Sequence, residues 1–311
     1  MEPSKNVNLQ ATPIKHKKSH YQFFEKLKDF SFAAPALIFL CIFVYYPLLY
    51  SLFLSFTNWN MAKPAWKFIG TENYEKLLSS DEFYSVLGVT FKYTIIDVVL
   101  TLVIGLLLAL LLNSTKKIYG FMRMIVFMPY YISMVIAAMI FIWIFNTQYG
   151  VANMVIGWFG LDPVNWLNNP STALWSLIMV SLWKSIGFAM LIFIAGLRGI
   201  PVEYYEASSI DGASKVRQFF KITLPLLSPI TLFLVVTNFI SSMQVFQSIN
   251  VMTLGGPLNT TKAMVYWIYQ MAFKEFKTGR ASALVIIFFI IIIAFTILQF
   301  AVSKKRVHYE G

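Results

Sequence analysis

The sequence predicts an all-α polytopic membrane protein with six transmembrane helices. Three observations carry that prediction. The 311 residues are 58% hydrophobic and only 13% charged, where soluble domains run at about 45–50% and about 25%. Six apolar runs each approach or exceed the roughly 20 residues a helix needs to cross the hydrocarbon core. Basic residues are divided unequally between the two sides of the membrane that those runs define. An ordinary soluble protein is excluded, as is a disordered chain, which needs low hydrophobicity and high charge.

The six runs are Ser31–Thr57, Phe91–Leu112, Phe121–Phe145, Thr172–Leu197, Leu224–Val251 and Ala281–Val302. The first is too long for a signal h-region, follows a tail of about thirty residues and has no small-residue cleavage site after it, so it is expected to span. With the N-terminus inside, the inner segments hold sixteen Lys and Arg, among them Lys116, Lys117, Arg123, Arg198, Lys215 and Arg217, and the outer segments hold eight. This places both termini in the cytoplasm. Residues 1–30 then form a basic cytoplasmic tail, 31–57 the first helix, 58–90 an extracytoplasmic loop, 91–302 the transmembrane core and 303–311 a second tail. The last outer segment runs against the pattern, with Lys262, Lys274, Lys277 and Arg280 facing Glu275 alone.

The net charge of +11 suits loops that face anionic membrane lipids, and no nucleic-acid partner is expected. The single cysteine, Cys41, makes no intrachain disulfide and no thiolate metal site. The outer segment Thr261–Lys277 carries Met264, Val265, Ile268, Met271, Ala272 and Phe276 near helical spacing. It reads as an interfacial or partly re-entrant helix, with an irregular loop as the other reading.

One inner segment, Arg198–Pro225, is far longer than a connection needs. Pro201 suits a first helical position, and Val202–Ile210 can form a short helix with Glu203 and Glu206 in its early turns. Asp211-Gly212 breaks it, and Ser214–Ile222 can form a second short helix, basic and apolar by turns. Such a hairpin is a docking surface or an amphipathic loop lying on headgroups.

The spacing Glu206-Ala207-Ser208, Gly212, Ile222 and Leu224-Pro225 resembles the EAA loop of ABC importer permeases, E-A-A-x3-G-x9-I-x-L-P, with Asp211-Gly212-Ala213 adding to the match. Ser208 stands where the second Ala falls in that pattern. Trp183-Lys184-x-x-Gly187-Phe188, Ala195-Gly196-Leu197, Gly255-Gly256-Pro257, Ala272-Phe273 and Gly279-x-Ala281-Ser282-Ala283 are similar to the carbohydrate-uptake branch, the glycerol-phosphate- and multiple-sugar-type relatives of the maltose transporter's F subunit. The resemblance covers nearly everything after Ser31. It implies the type I ABC importer permease fold in a bacterial or archaeal cell membrane. It also implies a second homologous permease, two cytoplasmic ATPase subunits and an extracytoplasmic solute-binding protein as partners. The hairpin, which includes Glu203, would be the coupling helix, with Glu206 as the charged contact, Ala207 and Ala213 packed close and Gly212 in the turn.

This chain is not expected to be an enzyme or to bind a cofactor. It lacks the G-x-x-x-x-G-K-[ST] phosphate loop, so ATP and Mg belong to the ATPase partners, and no metal site is expected. Candidates for the solute path are the polar residues inside spans. Lys184 lies mid-span as a strut, a solute contact or a gate contact, and it can pair with Asp97, although Asp97 is placed nearer the outer side. Asn238, Ser241, Ser242, Gln244 and Ser248 share one broad face of the fifth run. They either meet sugar hydroxyls or join helices. Trp183 and Phe188 are candidates for a stacking wall. A sugar or oligosaccharide is the expected solute. Glycerol phosphate or another polar solute is the alternative within the class, and an ion-coupled secondary transporter is the alternative from another class.

Overall fold

A computed structural model describes residues 30–63 and 65–303; the basic N-terminal tail and most of the C-terminal tail lie outside the described residues. The chain divides into two compact units, one ending at Ser51 and one beginning at Leu52. In the first, helix α1 (Phe30–Ser55, which continues into the second unit) exposes nearly all its large apolar side chains. Phe39 and Phe43 touch at 4.7 Å and Tyr46 stacks on Tyr50 at 6.1 Å.

The second unit is entirely helical in its named elements, with one isolated bridge between Thr57 and Phe68. Its elements are α2 (Glu72–Leu78), α3 (Asp81–Leu112), α4 (Lys117–Tyr131, closing in a 3-10 turn), α5 (Met134–Ile144), α6 (Val151–Gly157) and α7 (Ala173–Gly199). They continue with α8 (Val202–Ile210), α9 (Lys215–Leu226), α10 (Ser228–Met243), α11 (Met264–Tyr269, extended by a π turn Gln270–Lys274) and α12 (Thr278–Ser303). Among the described residues four helices are long and apolar enough to cross a membrane, and six if each of two bent pairs counts as one span.

Two expected spans are not straight helices. Phe121–Phe145 is α4 and α5, bent by 103°. Pro129 removes a backbone donor and clashes with the preceding turn, and Ile132 and Ser133 take extended conformations between the helices. Leu224–Val251 divides likewise. α9 and α10 meet at 63° around Leu227, just before Ser228-Pro229, and α10 stops at Met243. The chain resumes helical form only near Gln247 and runs through a π turn at Ile249–Thr253. The second span is longer than the expected Phe91–Leu112. Its 32 residues extend about 48 Å at 1.5 Å each, well past a hydrocarbon core of about 30 Å. The added turns are held by protein. Glu82 pairs with buried Lys262 at 2.7 Å, and Thr90 Oγ1 accepts the Met264 N–H at 2.9 Å, serving an orphan donor at the start of α11.

α3 shows how such a helix sorts its faces. Ile95, Val99, Val103, Leu107 and Leu111 are exposed at four-residue steps, while Thr90, Thr94, Asp97, Thr101, Gly105 and Ala109 are buried on the other side. Small and polar residues turn inward and large apolar ones outward, the arrangement lipid favours. A Cβ on Gly105 would lie 2.8 Å from that of Ala189, so α3 and α7 meet closely there. Thr261–Lys277 is helical over Met264–Lys274, and the helix is packed into the core, with Met264, Tyr266 and Trp267 buried.

Helix ends are closed by side chains from elsewhere. Asn73 donates to the Ser55 and Thr57 carbonyls at 2.8 Å each, and Arg123 donates to those of Leu112 and Ser114 at 2.7 and 2.9 Å. The end of α1 also admits no bulk at Gly279, where a Cβ would stand 2.1 Å from the Thr57 carbonyl oxygen. Gly279→Ala is therefore expected to cost about 1–3 kcal/mol through overpacking. The thermal midpoint in detergent, followed by tryptophan fluorescence, checks it, and an unchanged midpoint would refute the close approach.

Candidate functional site

The polar face of the fifth run opens onto a cavity of about 120 Å³, room for several waters. Asn238, Ser241, Ser242, Gln244 and Ser248 all line it, together with Gln247, and so do Tyr93 and Asp97 from α3 and Ser181 and Ser185 from α7. The break after Met243 brings Gln244–Ser248 round to the same space as α10.

Asp97 is the seventeenth of the 32 residues of α3 and is 2% exposed. It lies near the middle of its helix, whose first turns extend beyond the apolar run that begins at Phe91. Its Oδ2 accepts from Ser242 Oγ at 2.5 Å, tying α3 to α10. Its Oδ1 and the buried Ser248 Oγ have no protein partner among the described residues. Thr101 and Ser185 hydroxyls meet at 3.1 Å and join α3 to α7. A buried carboxylate oxygen without a donor is costly, so the cavity offers a strong acceptor to water or to a solute hydroxyl.

Trp183, Lys184 and Phe188 do not line this cavity. Lys184 Nζ donates to the carbonyls of Pro129 at 3.4 Å and Tyr130 at 3.2 Å and to that of Ile132. The Pro129 carbonyl also accepts the Ile132 N–H at 3.1 Å, while those of Tyr130 and Ile132 are left open where α4 ends, and a three-donor ammonium suits them. No ion pair joins Lys184 to Asp97. Phe188 stacks on Tyr130 at 5.0 Å and Trp183 packs edge-on to Phe141 at 5.3 Å. Gly187 lets α7 lie against α4, since a Cβ there would stand 2.3 Å from the Val126 carbonyl oxygen. This face of α7 secures the bent third span.

The segment after α7 holds a helix–turn–helix. α8 ends in a Schellman turn. Gly212 has φ +74°, its N–H donates to Ser209 O at 3.1 Å, and Ala213 N–H donates to Ser208 O at 2.9 Å. Gly212 is required because that φ strains any residue with a Cβ. Ser214 caps α9 by accepting from the Arg217 N–H. Tyr205 and Thr223 hydroxyls meet at 2.9 Å, and Gln218 Nε2 donates to Ser208 Oγ and Ser209 Oγ at 2.9 Å each. Ser208 thus exchanges the usual small apolar contact for a hydrogen bond. Glu203, Glu206, Ala207 and Asp211 are exposed, Ala213, Ile222 and Pro225 are half-buried, and Leu224 is exposed. Ile210, at the tip, is 87% exposed.

Residues 101–308 match the family described as binding-protein-dependent transport system inner membrane component. The chain is 38% identical over 295 residues to the Probable ABC transporter permease protein YesP of Bacillus subtilis, covering 92% of this chain and 94% of that one. It is 34% identical over 275 residues to the trehalose/maltose transport system permease protein MalF of Thermococcus litoralis, covering 88% and 92%. A bacterial ABC transporter involved in the import of the acidic polysaccharide alginate shares its fold, with a TM-score of 0.81 at 23% identity over 93% of this chain and 99% of that one. Helices sorted polar-in and apolar-out around a polar intramembrane cavity are what such a component needs, and the chain belongs to this family of ABC importer permeases.

Proposed function

We propose that this chain is one half of the transmembrane pathway for a neutral sugar or oligosaccharide, crossing the membrane six times with both termini in the cytoplasm. The helix–turn–helix Val202–Thr223 docks on a cytoplasmic ATPase. A homologous permease completes the pore and an extracytoplasmic binding protein delivers the solute. The chain itself binds no cofactor; ATP and Mg act on the ATPase subunits.

The observation that carries the coupling role is the build of the hairpin. Gln218, Tyr205 and the Schellman turn stiffen it internally, while Glu203, Glu206 and the apolar Ile210 remain exposed. A rigid surface with apolar and acidic groups together suits a protein cleft better than headgroups, where acids meet like charge. The cavity favours a polyol over a phosphate ester. Its lining carries the Asp97 carboxylate and, among the described residues, no Lys or Arg, and the mid-span Lys184 is occupied with three carbonyls. Membership in the family sets aside the ion-coupled transporter.

A cysteine cross-link tests the coupling role. With Cys41 replaced by Ser, Glu203→Cys or Ser209→Cys is expected to be captured by cysteines in the cleft of the co-purified ATPase, with a yield that changes on adding ATP. A complex that contains no ATPase and gives no capture would remove the coupling role.

A further inference from the structure

The four cations of the last outer segment run against the positive-inside pattern, and the fold accounts for three of them. Lys262 pairs with Glu82 at 2.7 Å, Lys274 lies 5.6 Å above the rings of Tyr266 and Tyr269, and Lys277 pairs with Glu275 at 2.7 Å. Arg280 has no such partner among the described residues. It also stands in the first turn of α12, where the helix dipole disfavours a cation. One residue therefore breaks two rules of charge placement, which marks a site whose partner is not among the described residues.

Arg280 is half-buried in the wall of a cleft of about 330 Å³, with Lys277, Lys76, Asn58, Trp59 and Asn60 around it. Asn58 Oδ1 is taken by the Lys67 N–H at 2.7 Å and Asn60 Oδ1 by the Ala62 N–H at 2.9 Å. Each amide therefore has its NH₂ left to give. Glu72, also in the wall, is held by Lys76, and Glu275 by Lys277. One positive charge is left over, that of Arg280. Free donors and a single excess charge fit a singly charged oxyanion.

Depth identifies the oxyanion. Asn58 and Trp59 follow the last residue of α1, Ser55, by three and four positions, and Arg280 is the third residue of α12. The cleft thus lies where two spanning helices leave the hydrocarbon, at the level of headgroups that Trp also prefers. We propose that it binds the phosphodiester of an anionic phospholipid, with Arg280 as the principal cation.

The test uses the full chain with whatever subunits co-purify, reconstituted in nanodiscs of phosphatidylcholine containing phosphatidylglycerol, then stripped and weighed by native mass spectrometry. One retained phosphatidylglycerol per chain is expected. Arg280→Gln should lower its retention about tenfold, the loss of one charge-assisted contact. Arg280→Lys should keep some of it, and Lys63→Gln, exposed and outside the cleft, should keep all of it. Equal retention of phosphatidylcholine, or retention indifferent to Arg280→Gln, overturns the proposal. Displacement by millimolar inorganic phosphate would reassign the cleft to a free anion. Unchanged lipid retention with lost binding of an extracytoplasmic protein would make it a protein interface.

Discussion

Gly187→Val is expected to leave almost no folded protein in the membrane. A Cβ at Gly187 would come within 2.3 Å of the Val126 carbonyl oxygen and 2.6 Å of the Phe127 Cα. Both are backbone atoms at the end of α4 and cannot rotate aside. Overpacking typically costs about 1–3 kcal/mol, and here a branched side chain must push α4 and α7 apart where their backbones meet. The cost reaches a large share of the roughly 5–15 kcal/mol that holds a domain together. Gly187→Ala should fold with a lowered thermal midpoint. Size-exclusion of a fluorescent fusion reads both variants; a monodisperse Gly187→Val with the parent's midpoint would refute the contact.

Lys184→Met is expected to lower stability and transport together. It preserves apolar bulk but strips the ammonium from the carbonyls of Tyr130 and Ile132, which have no other donor among the described residues, and from that of Pro129, which keeps the Ile132 N–H. Each buried polar group left unsatisfied costs about 1–3 kcal/mol. Partial access of water to this site brings the expected total to about 2–4 kcal/mol. The bend between α4 and α5 should loosen, so a cysteine placed at Ile132 should label faster in this background. A solute-contacting lysine would behave differently: its loss would abolish transport while the thermal midpoint and the labelling rate stayed at parent values.

These two residues also show what a single sequence discloses. Ala173–Gly199 follows closely from its apolar run, because one unbroken stretch with no proline leaves little choice. The 103° bend between Lys117–Tyr131 and Met134–Ile144 is invisible to hydropathy, which records that residues are apolar and not which way the chain runs. Pro129 is the available signal. Asp81–Thr90 is hidden for the reverse reason. Its charged and aromatic residues look like a loop, and it is helical because Glu82 and Thr90 meet Lys262 and Met264, residues far away in the chain.

The cavity is half legible. Asn238 to Ser248 form a readable polar face, but nothing in the order of residues says that Tyr93, Asp97, Ser181 and Ser185 face it. On α7 the adjacent residues Lys184 and Ser185 point about 100° apart; Ser185 looks into the cavity while Lys184 looks at α4. The aromatic neighbours Trp183 and Phe188 follow Lys184. Gln218 gives no sequence signal because a lone glutamine in a short amphipathic helix carries no pattern, although three of its acceptors, Tyr205 O, Ser208 Oγ and Ser209 Oγ, converge on it.

The bend of 63° at Leu227 makes the second arm of the hairpin and α10 a crank with a single elbow. Ser242 sits fifteen residues beyond that elbow, a throw of about 22 Å at 1.5 Å per residue. Opening or closing the elbow by about 5° would swing Ser242 through about 2 Å. The Ser242–Asp97 hydrogen bond is 2.5 Å long, and no such bond outlasts a shift of that size. A small turn of the hairpin's second arm about this elbow is thus enough to part α10 from α3 at Asp97, and the travel needed is smaller than the width of one side chain.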